Sequence, residues 1–147
     1  TLEKSKLYRY LEDGASGLMI PHVSDAKKAQ MLVDSVKFPP LGDRGIDGAG
    51  LDSNFMINGG LEYTDLANQE TFLVVQIETP EAVLNVDEIA AVEGVDCLFV
   101  GTGDLGLRIN KLNSNIDLET SIKKVVEAAQ KKWQSLDQAC FRRRRYP

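Results

Sequence analysis

The sequence predicts an α/β fold built on a parallel sheet. Three observations carry this. FLVVQIE (72–78) and VDCLFVG (95–101) are nearly unbroken apolar runs of strand length, as expected of strands covered on both faces. Between them lies one helix-length segment opened by Thr79-Pro80-Glu81, with Thr79 as N-cap and Pro80 at the first helical position. A third apolar run, GLMIPHV (17–23), also leads into a helical pattern, and strands that alternate with helices pair in parallel.

The remaining elements follow in order. SKLYRYLEDG (5–14) reads as a helix that stops at Gly14, with Leu7, Tyr8 and Leu11 on one face. After the first strand, Ser24 is the expected N-cap of the next helix, with Asp25 in its first turn. That helix carries Ala26, Ala29, Val33 and Val36 at helical spacing. It ends near Phe38, because Pro39 and Pro40 cannot continue it. PPLGDRGIDGAGLDSNFMINGG (39–60) is rich in glycine and too long for a routine connector, which marks a functional or mobile loop. GLEYTDLANQE (60–70) reads as a short amphipathic helix. The helix opened by Thr79 runs to about Val92 and stops before Gly94. TGDLGLR (102–108) reads as a glycine-bearing loop. ETSIKKVVEAAQKKW (119–133) is a helix with Ile122, Val125, Val126 and Ala129 on one face. No internal repeat and no dividing linker is evident, so one domain is expected.

Composition narrows the class of function. The 147 residues carry 17 Lys and Arg against 22 Asp and Glu, a formal net charge of −5, which argues against a general nucleic-acid binder. No apolar run reaches the length of a membrane span, and no signal-peptide pattern opens the sequence. Cys97 and Cys140 are too few for a disulfide framework, and a cytoplasmic setting is expected. Four consecutive arginines, Arg142 to Arg145, read as a solvated basic tail.

Ligands of parallel α/β folds bind at the carboxyl ends of strands. His22, Glu78 and Asp104 fall at three such ends. Thr79 supplies the cap of the following helix, so Glu78 is not needed for it. A carboxylate there needs a partner, because desolvating it alone is costly. The partner is a cation, or else an arginine or a backbone amide. Two carboxylates from adjacent strand ends, with water, suit Mg²⁺ or Mn²⁺. Asp104 either joins such a site or caps a following turn or helix. Gly101 and Gly103 allow close approach of a ligand, and free amides there can hold an anion. The string around them lacks the spacing of a dinucleotide fingerprint. Gln76 points to the same side of its strand as Glu78 and is either a ligand-facing amide or a satisfied buried one. His22 is the only histidine, so a His-rich zinc site is excluded, while a supporting or acid/base role stays open. Arg44 either binds a carboxylate or phosphate or makes a structural ion pair. Cys97 reads as a core residue.

Three segments together resemble a known family. GASGLMIPHVSDAKKAQ (14–30), KFPPLGDRG (37–45) and VVQIETPEAVLNVDEIAAVEGVDCLFVGTGDLG (74–106) are similar to the metal-dependent, class II pyruvate aldolases, the 4-hydroxy-2-oxoheptanedioate and 2-dehydro-3-deoxygalactarate aldolases. The resemblance runs from about residue 7 to about residue 130. Its most specific part is the combination of QIET with G-x-x-D-L, which matches in strand, spacing and both carboxylates.

The resemblance implies a (β/α)₈ TIM barrel, assembled as a hexamer and hence an oligomer. It implies a lyase that cleaves 4-hydroxy-2-oxo acids to pyruvate and an aldehyde through a metal-stabilised pyruvate enolate. The implied metal ligands are Glu78 and Asp104, with Mg²⁺, Mn²⁺ or Co²⁺ bound. Gln76, Gly101, Thr102 and Gly103 are implied to contact substrate, the turn amides holding the pyruvate carboxylate. Gly103 stands where many relatives carry another small residue, and the change is expected to be tolerated. The family's catalytic histidine and pyruvate-contacting arginine fall on strands before Thr1, so His22 and Arg44 remain weak candidates. A whole barrel needs about 250 residues. Residues 1–133 are therefore expected to form an incomplete barrel without its first strands and last strand, and 134–147 an irregular basic tail. The chain would be a fragment or a truncated form, inactive alone and prone to associate through its unpaired edges. Two alternatives stay open. One is a lyase of the citrate-lyase β-subunit or malyl-CoA kind, for which no nucleotide groove is evident. The other is a non-catalytic remnant or assembly module.

Overall fold

The computed structural model describes residues 4–47 and 49–140, with side chains over 5–47 and 49–133. Ten elements follow one another. They are α1 (Lys4–Glu12), β1 (Gly17–Ile20), α2 (Ala26–Val36), α3 (Leu61–Glu70), β2 (Phe72–Ile77), α4 (Pro80–Leu84), α5 (Val86–Ala91), β3 (Cys97–Val100), α6 (Thr102–Lys111) and α7 (Leu118–Cys140). The strands form one parallel sheet in the order β1-β2-β3. The class read from the sequence is therefore the class observed.

Alternation along each strand divides the sheet into two unlike faces. Leu18 and Ile20, Leu73, Val75 and Ile77, and Leu98 and Val100 face the helices and join the core. Leu7 and Leu11 of α1, Leu32, Val33 and Val36 of α2, Val86 and Ile89 of α5, Leu105 of α6 and Val125 of α7 complete that core. The opposite face carries Met19, Phe72 and Phe99, which are 50%, 46% and 44% exposed. Register places Met19 beside Val74, Val74 beside Cys97, and Gln76 beside Phe99 on this open face. Cys97 is thus a half-buried residue of the open face and not a core residue. Among the described residues, no helix is long and apolar enough to cross a membrane.

Several local expectations shift. The cap of α2 is Asp25, one residue later than Ser24; its carboxylate accepts from the Lys28 amide at 2.7 Å, and Ser24 donates to that carboxylate instead. The segment from Thr79 to Val92 is two short helices, because Asn85 leaves helical geometry and its side-chain amide donates to the Ser24 carbonyl. Thr79 and Pro80 open the first of them as read from the sequence, with Thr79 Oγ1 accepting from the Ala82 amide at 3.0 Å. The stretch 102–108 is no loop: it lies within α6, whose Leu105 and Ile109 pack into the core one turn apart. Helix α7 buries Ser121, Val125 and Ala128, while Val126 is exposed. It continues to Cys140, since no glycine or proline interrupts the sequence there, so the first half of 134–147 is helical and not irregular. Arg142 to Arg145 lie outside the described residues.

At the amino ends of the strands a buried lysine ties four elements. Lys37 is 1% exposed. Its ammonium donates to the carbonyls of Asn68 and Thr71 and pairs with Asp96 at 3.1 Å. Asp96 also accepts from the Leu73 amide at 2.8 Å, so one cation fixes α2 and α3 against the starts of β2 and β3. The long connection is anchored nearby. Arg44 pairs with Asp52 and stacks over the Phe38 ring, 4.6 Å from its centroid. Tyr63 donates to the same Asp52, and burial together with that bond pushes its hydroxyl well above its ordinary range, so it stays a donor.

Removing one partner of a buried, hydrogen-bonded charge is costly. Lys37→Ala is expected to lose about 3 kcal/mol in urea unfolding. Lys37→Met keeps the volume but not the donors, and most of that loss should persist.

Candidate metal centre

The parallel register ends the strands on one edge, with Ile20 paired to Val75 and Ile77 to Val100. Two bonds extend the ladders beyond the strands. The Val23 amide donates to the Gln76 carbonyl at 3.3 Å, and the Gly101 amide to the Ile77 carbonyl at 3.1 Å. These bonds bring the residues after β1, β2 and β3 together. His22, Glu78 and Asp104 each present a ligand atom there, and those atoms lie within 4.8 Å of one another.

Glu78 sits at the centre of the group. It is 4% exposed, and its Oε1 accepts from the His22 amide at 2.8 Å. The amide alternative weighed for Glu78 is thus one partner it has. Among the described residues it pairs with no lysine or arginine, and Oε2 accepts no hydrogen bond. Gly101 makes room for it: a Cβ on Gly101 would meet Glu78 Oε2 at 2.6 Å and Glu78 Cβ at 2.8 Å. The glycine serves the carboxylate, while at Gly103 an added Cβ meets nothing within 4 Å.

His22 adopts a left-handed backbone, φ +56°, uncommon for a residue with a side chain. It is held there from both sides, by its own amide on Glu78 and by Lys28 Nζ donating to its carbonyl. A ring nitrogen, Nδ1, stands 3.4 Å from Glu78 Oε1. Asp104 is the third residue of α6, where a negative charge is favoured by the helix dipole, and it pairs with Arg108 one turn on at 3.2 Å. It is not the cap of that helix; Gly101 holds that position, without a side-chain cap. The amides of Thr102 and Gly103 lie in the first turn of α6, where backbone N–H groups have no intrahelical acceptor.

The other candidates divide. Gln76 lies on the open face, half-buried, with Nε2 3.1 Å from Met19 Sδ. Arg44 is in the loop anchor, engaged by Asp52 and Phe38, and has no contact with the three-residue group; the structural ion pair is the alternative observed. Two supporting residues gave no signal in the sequence as site residues. Lys28 reads as a solvated helix residue, and Asn85 as an interior helix position, yet both brace the turn after β1.

An imidazole and two carboxylates at the carboxyl edge of a parallel sheet define an α/β protein with a candidate divalent-cation centre. The chain belongs to the family described as HpcH/HpaI aldolase/citrate lyase, which matches residues 1–143. It is similar to a 2-dehydro-3,6-dideoxy-6-sulfogluconate aldolase of Pseudomonas putida, 42% identical over 99 residues, 67% of this chain and 38% of that protein. It is similar to a hydroxypyruvate/pyruvate aldolase of Delftia acidovorans, 37% identical over 120 residues, 80% of this chain and 44% of that protein. The crystal structure of a HpcH/HpaI aldolase/citrate lyase family protein from Burkholderia cenocepacia J2315 superimposes with a TM-score of 0.77 at 33% identity, covering 88% of this chain and 52% of that one. The chain therefore spans about half the length, or less, of the proteins it matches.

The Gly101 contacts generate a paired test. Gly101→Ala must displace the Glu78 side chain, and overpacking of this kind is expected to cost about 1–3 kcal/mol in urea unfolding. Gly103→Ala should leave stability within about 1 kcal/mol of the parent, since it meets open space in a helix.

Proposed function

We propose that the chain is part of a carbon–carbon lyase, an aldolase that cleaves 4-hydroxy-2-oxo acids to pyruvate and an aldehyde, or joins them in reverse. The observation that carries this is the buried, half-satisfied carboxylate of Glu78, gathered with Asp104 at the strand edge. The names of the relatives, a 2-dehydro-3,6-dideoxy-6-sulfogluconate aldolase and a hydroxypyruvate/pyruvate aldolase, support the reaction class.

The residues fit a hard divalent cation. The Oε2 of Glu78, which accepts no hydrogen bond among the described residues, and the exposed carboxylate of Asp104 are oxygen donors, and the missing side chain at Gly101 leaves room for the Glu78 carboxylate. Glu78 and Asp104 would hold Mg²⁺ or Mn²⁺, with Co²⁺ as the further choice. When bound, such a cation supplies a Lewis acid to charge developing on a keto oxygen. The chain's own groups bind and orient. The Thr102 and Gly103 amides, at the positive end of α6, offer two donors to a substrate carboxylate. Gln76, two residues before Glu78 on the open face, offers an amide to the substrate beside the carboxylates. Lys28 and the Glu78–amide bond fix the turn that forms the rim.

The same reading takes the three strands as an arc of a (β/α)₈ barrel, with Met19, Phe72, Val74, Gln76 and Phe99 on its inner side. A face with this much exposed apolar area calls for cover. In the isolated chain the cover is a second copy, so the protein forms a homo-oligomer. A cytoplasmic setting belongs to the reading on its cysteine usage.

Titration calorimetry with Mn²⁺, with and without pyruvate, tests the centre. Glu78→Gln should weaken binding by more than about tenfold, and pyruvate should tighten it in the parent alone. Weak binding indifferent to Glu78 would overturn the reading and leave a non-catalytic module. Light scattering tests the assembly: dimers or larger species are expected, and a strictly monomeric, well-ordered chain contradicts it.

A further inference from the structure

We infer that His22 is a third protein ligand of the proposed cation, so that the centre is a His–Glu–Asp set that favours Mn²⁺ and Co²⁺ over Mg²⁺. The inference rests on the reading of Glu78 and Asp104 as a cation centre and deepens it.

Three observations carry it. The ligand atoms of His22, Glu78 and Asp104 share one space less than 4.8 Å across, which is compatible with common coordination to a single ion. Glu78 is almost wholly buried, yet its Oε2 accepts no hydrogen bond among the described residues and is not sealed from solvent, so it is open to a ligand. The imidazole lies beside Glu78 without a hydrogen bond to it. Oε1 accepts from the His22 backbone amide at 2.8 Å, and Nδ1 lies 3.4 Å from it, within ion-pairing distance but without a hydrogen bond. A charge-assisted bond would be shorter, at about 2.7–2.9 Å. The ring therefore stands beside the carboxylates, half exposed, with Nδ1 in ion-pairing range of Glu78 and neither nitrogen in a hydrogen bond among the described residues.

The backbone explains why it stays in place. The left-handed turn at His22 is locked by the Glu78 and Lys28 bonds, which orient the ring over the strand edge. Glu78 thus acts twice, as an oxygen donor and as the clamp that orients the nitrogen donor. An imidazole nitrogen adds little for Mg²⁺, which prefers oxygen. It adds more for Mn²⁺ and Co²⁺, in the order of their affinity for nitrogen.

The test loads the intact chain with Mn²⁺ and reads pulsed EPR for nitrogen coupled to the ion, in the parent and in His22→Asn. Asparagine accepts the left-handed backbone, so this variant keeps the turn. Imidazole-type nitrogen coupling in the parent, lost in His22→Asn, is expected. Calorimetry should show Co²⁺ binding weakened by at least about tenfold in the variant, and Mg²⁺ binding changed far less. Binding that depends on Glu78 but shows no nitrogen coupling, with unchanged Co²⁺ affinity in His22→Asn, overturns this inference and leaves the two-carboxylate centre standing. Binding indifferent to Glu78 removes both.

Discussion

Parallel pairing in a register that stops three strands on one edge is the constraint on which the rest of the chain depends. Each strand delivers one group to that edge: His22 after β1, Glu78 after β2, and Gly101 with Asp104 after β3. An antiparallel neighbour would send its end to the opposite side. The edge also crowds them, and the crowding explains the local backbone. Glu78 can lie against β3 only because residue 101 has no Cβ, and His22 turns left-handed because its amide is drawn onto the Glu78 carboxylate.

The two edges of the sheet treat a buried charge in opposite ways. At the amino edge, Lys37 has two carbonyls and a carboxylate around its ammonium, and it acts as a structural tie. At the carboxyl edge, Glu78 has one backbone amide and one oxygen left over. A fold able to satisfy the first charge so fully could have matched the second with an arginine. Arg44, buried and available in the same chain, is spent on Asp52 and Phe38 instead. Desolvating a carboxylate without a full partner set costs stability. The leftover oxygen of Glu78 is not sealed from solvent and is open to a ligand, which is the physical basis of the proposed centre.

The sequence carried the strands and the place of the carboxylates. FLVVQIE and the run at 95–101 are continuous apolar stretches, and a doubly covered strand has no other signature. The Thr79-Pro80 helix start was legible because capping is local chemistry. Helix α6 was obscured by Gly103 and Gly106, although Leu105 and Ile109 keep its core-facing spacing. The break at Asn85 and the shift of the α2 cap to Asp25 turn on single side chains choosing between neighbouring partners. The Lys37 tie was not legible at all. It joins residues 37, 68, 71 and 96, and no local pattern marks a lysine ahead of Phe-Pro-Pro as buried. The geometry of His22 is hidden for the same reason, since its conformation is set by a carboxylate 56 positions away.

Cation binding and turnover make different demands on such a chain. The proposed ligands come from three adjacent strand ends, and every bond that orients them lies within the same sheet and the helices behind it. Binding therefore depends on residues that this core already holds. Chemistry at a keto acid asks for more: a proton donor or acceptor in reach, and water kept away from the reacting carbons. On the proposed reading both would come from the open side of the sheet, where Met19, Phe72 and Phe99 stand half in solvent and the Gln76 amide meets Met19 Sδ beside Phe99. A cover over that face would set the polarity around the carboxylates and decide whether a substrate is enclosed. On the proposed reading, cation binding and turnover would thus be separable, the first resting on the strand edge and the second on what covers the open face.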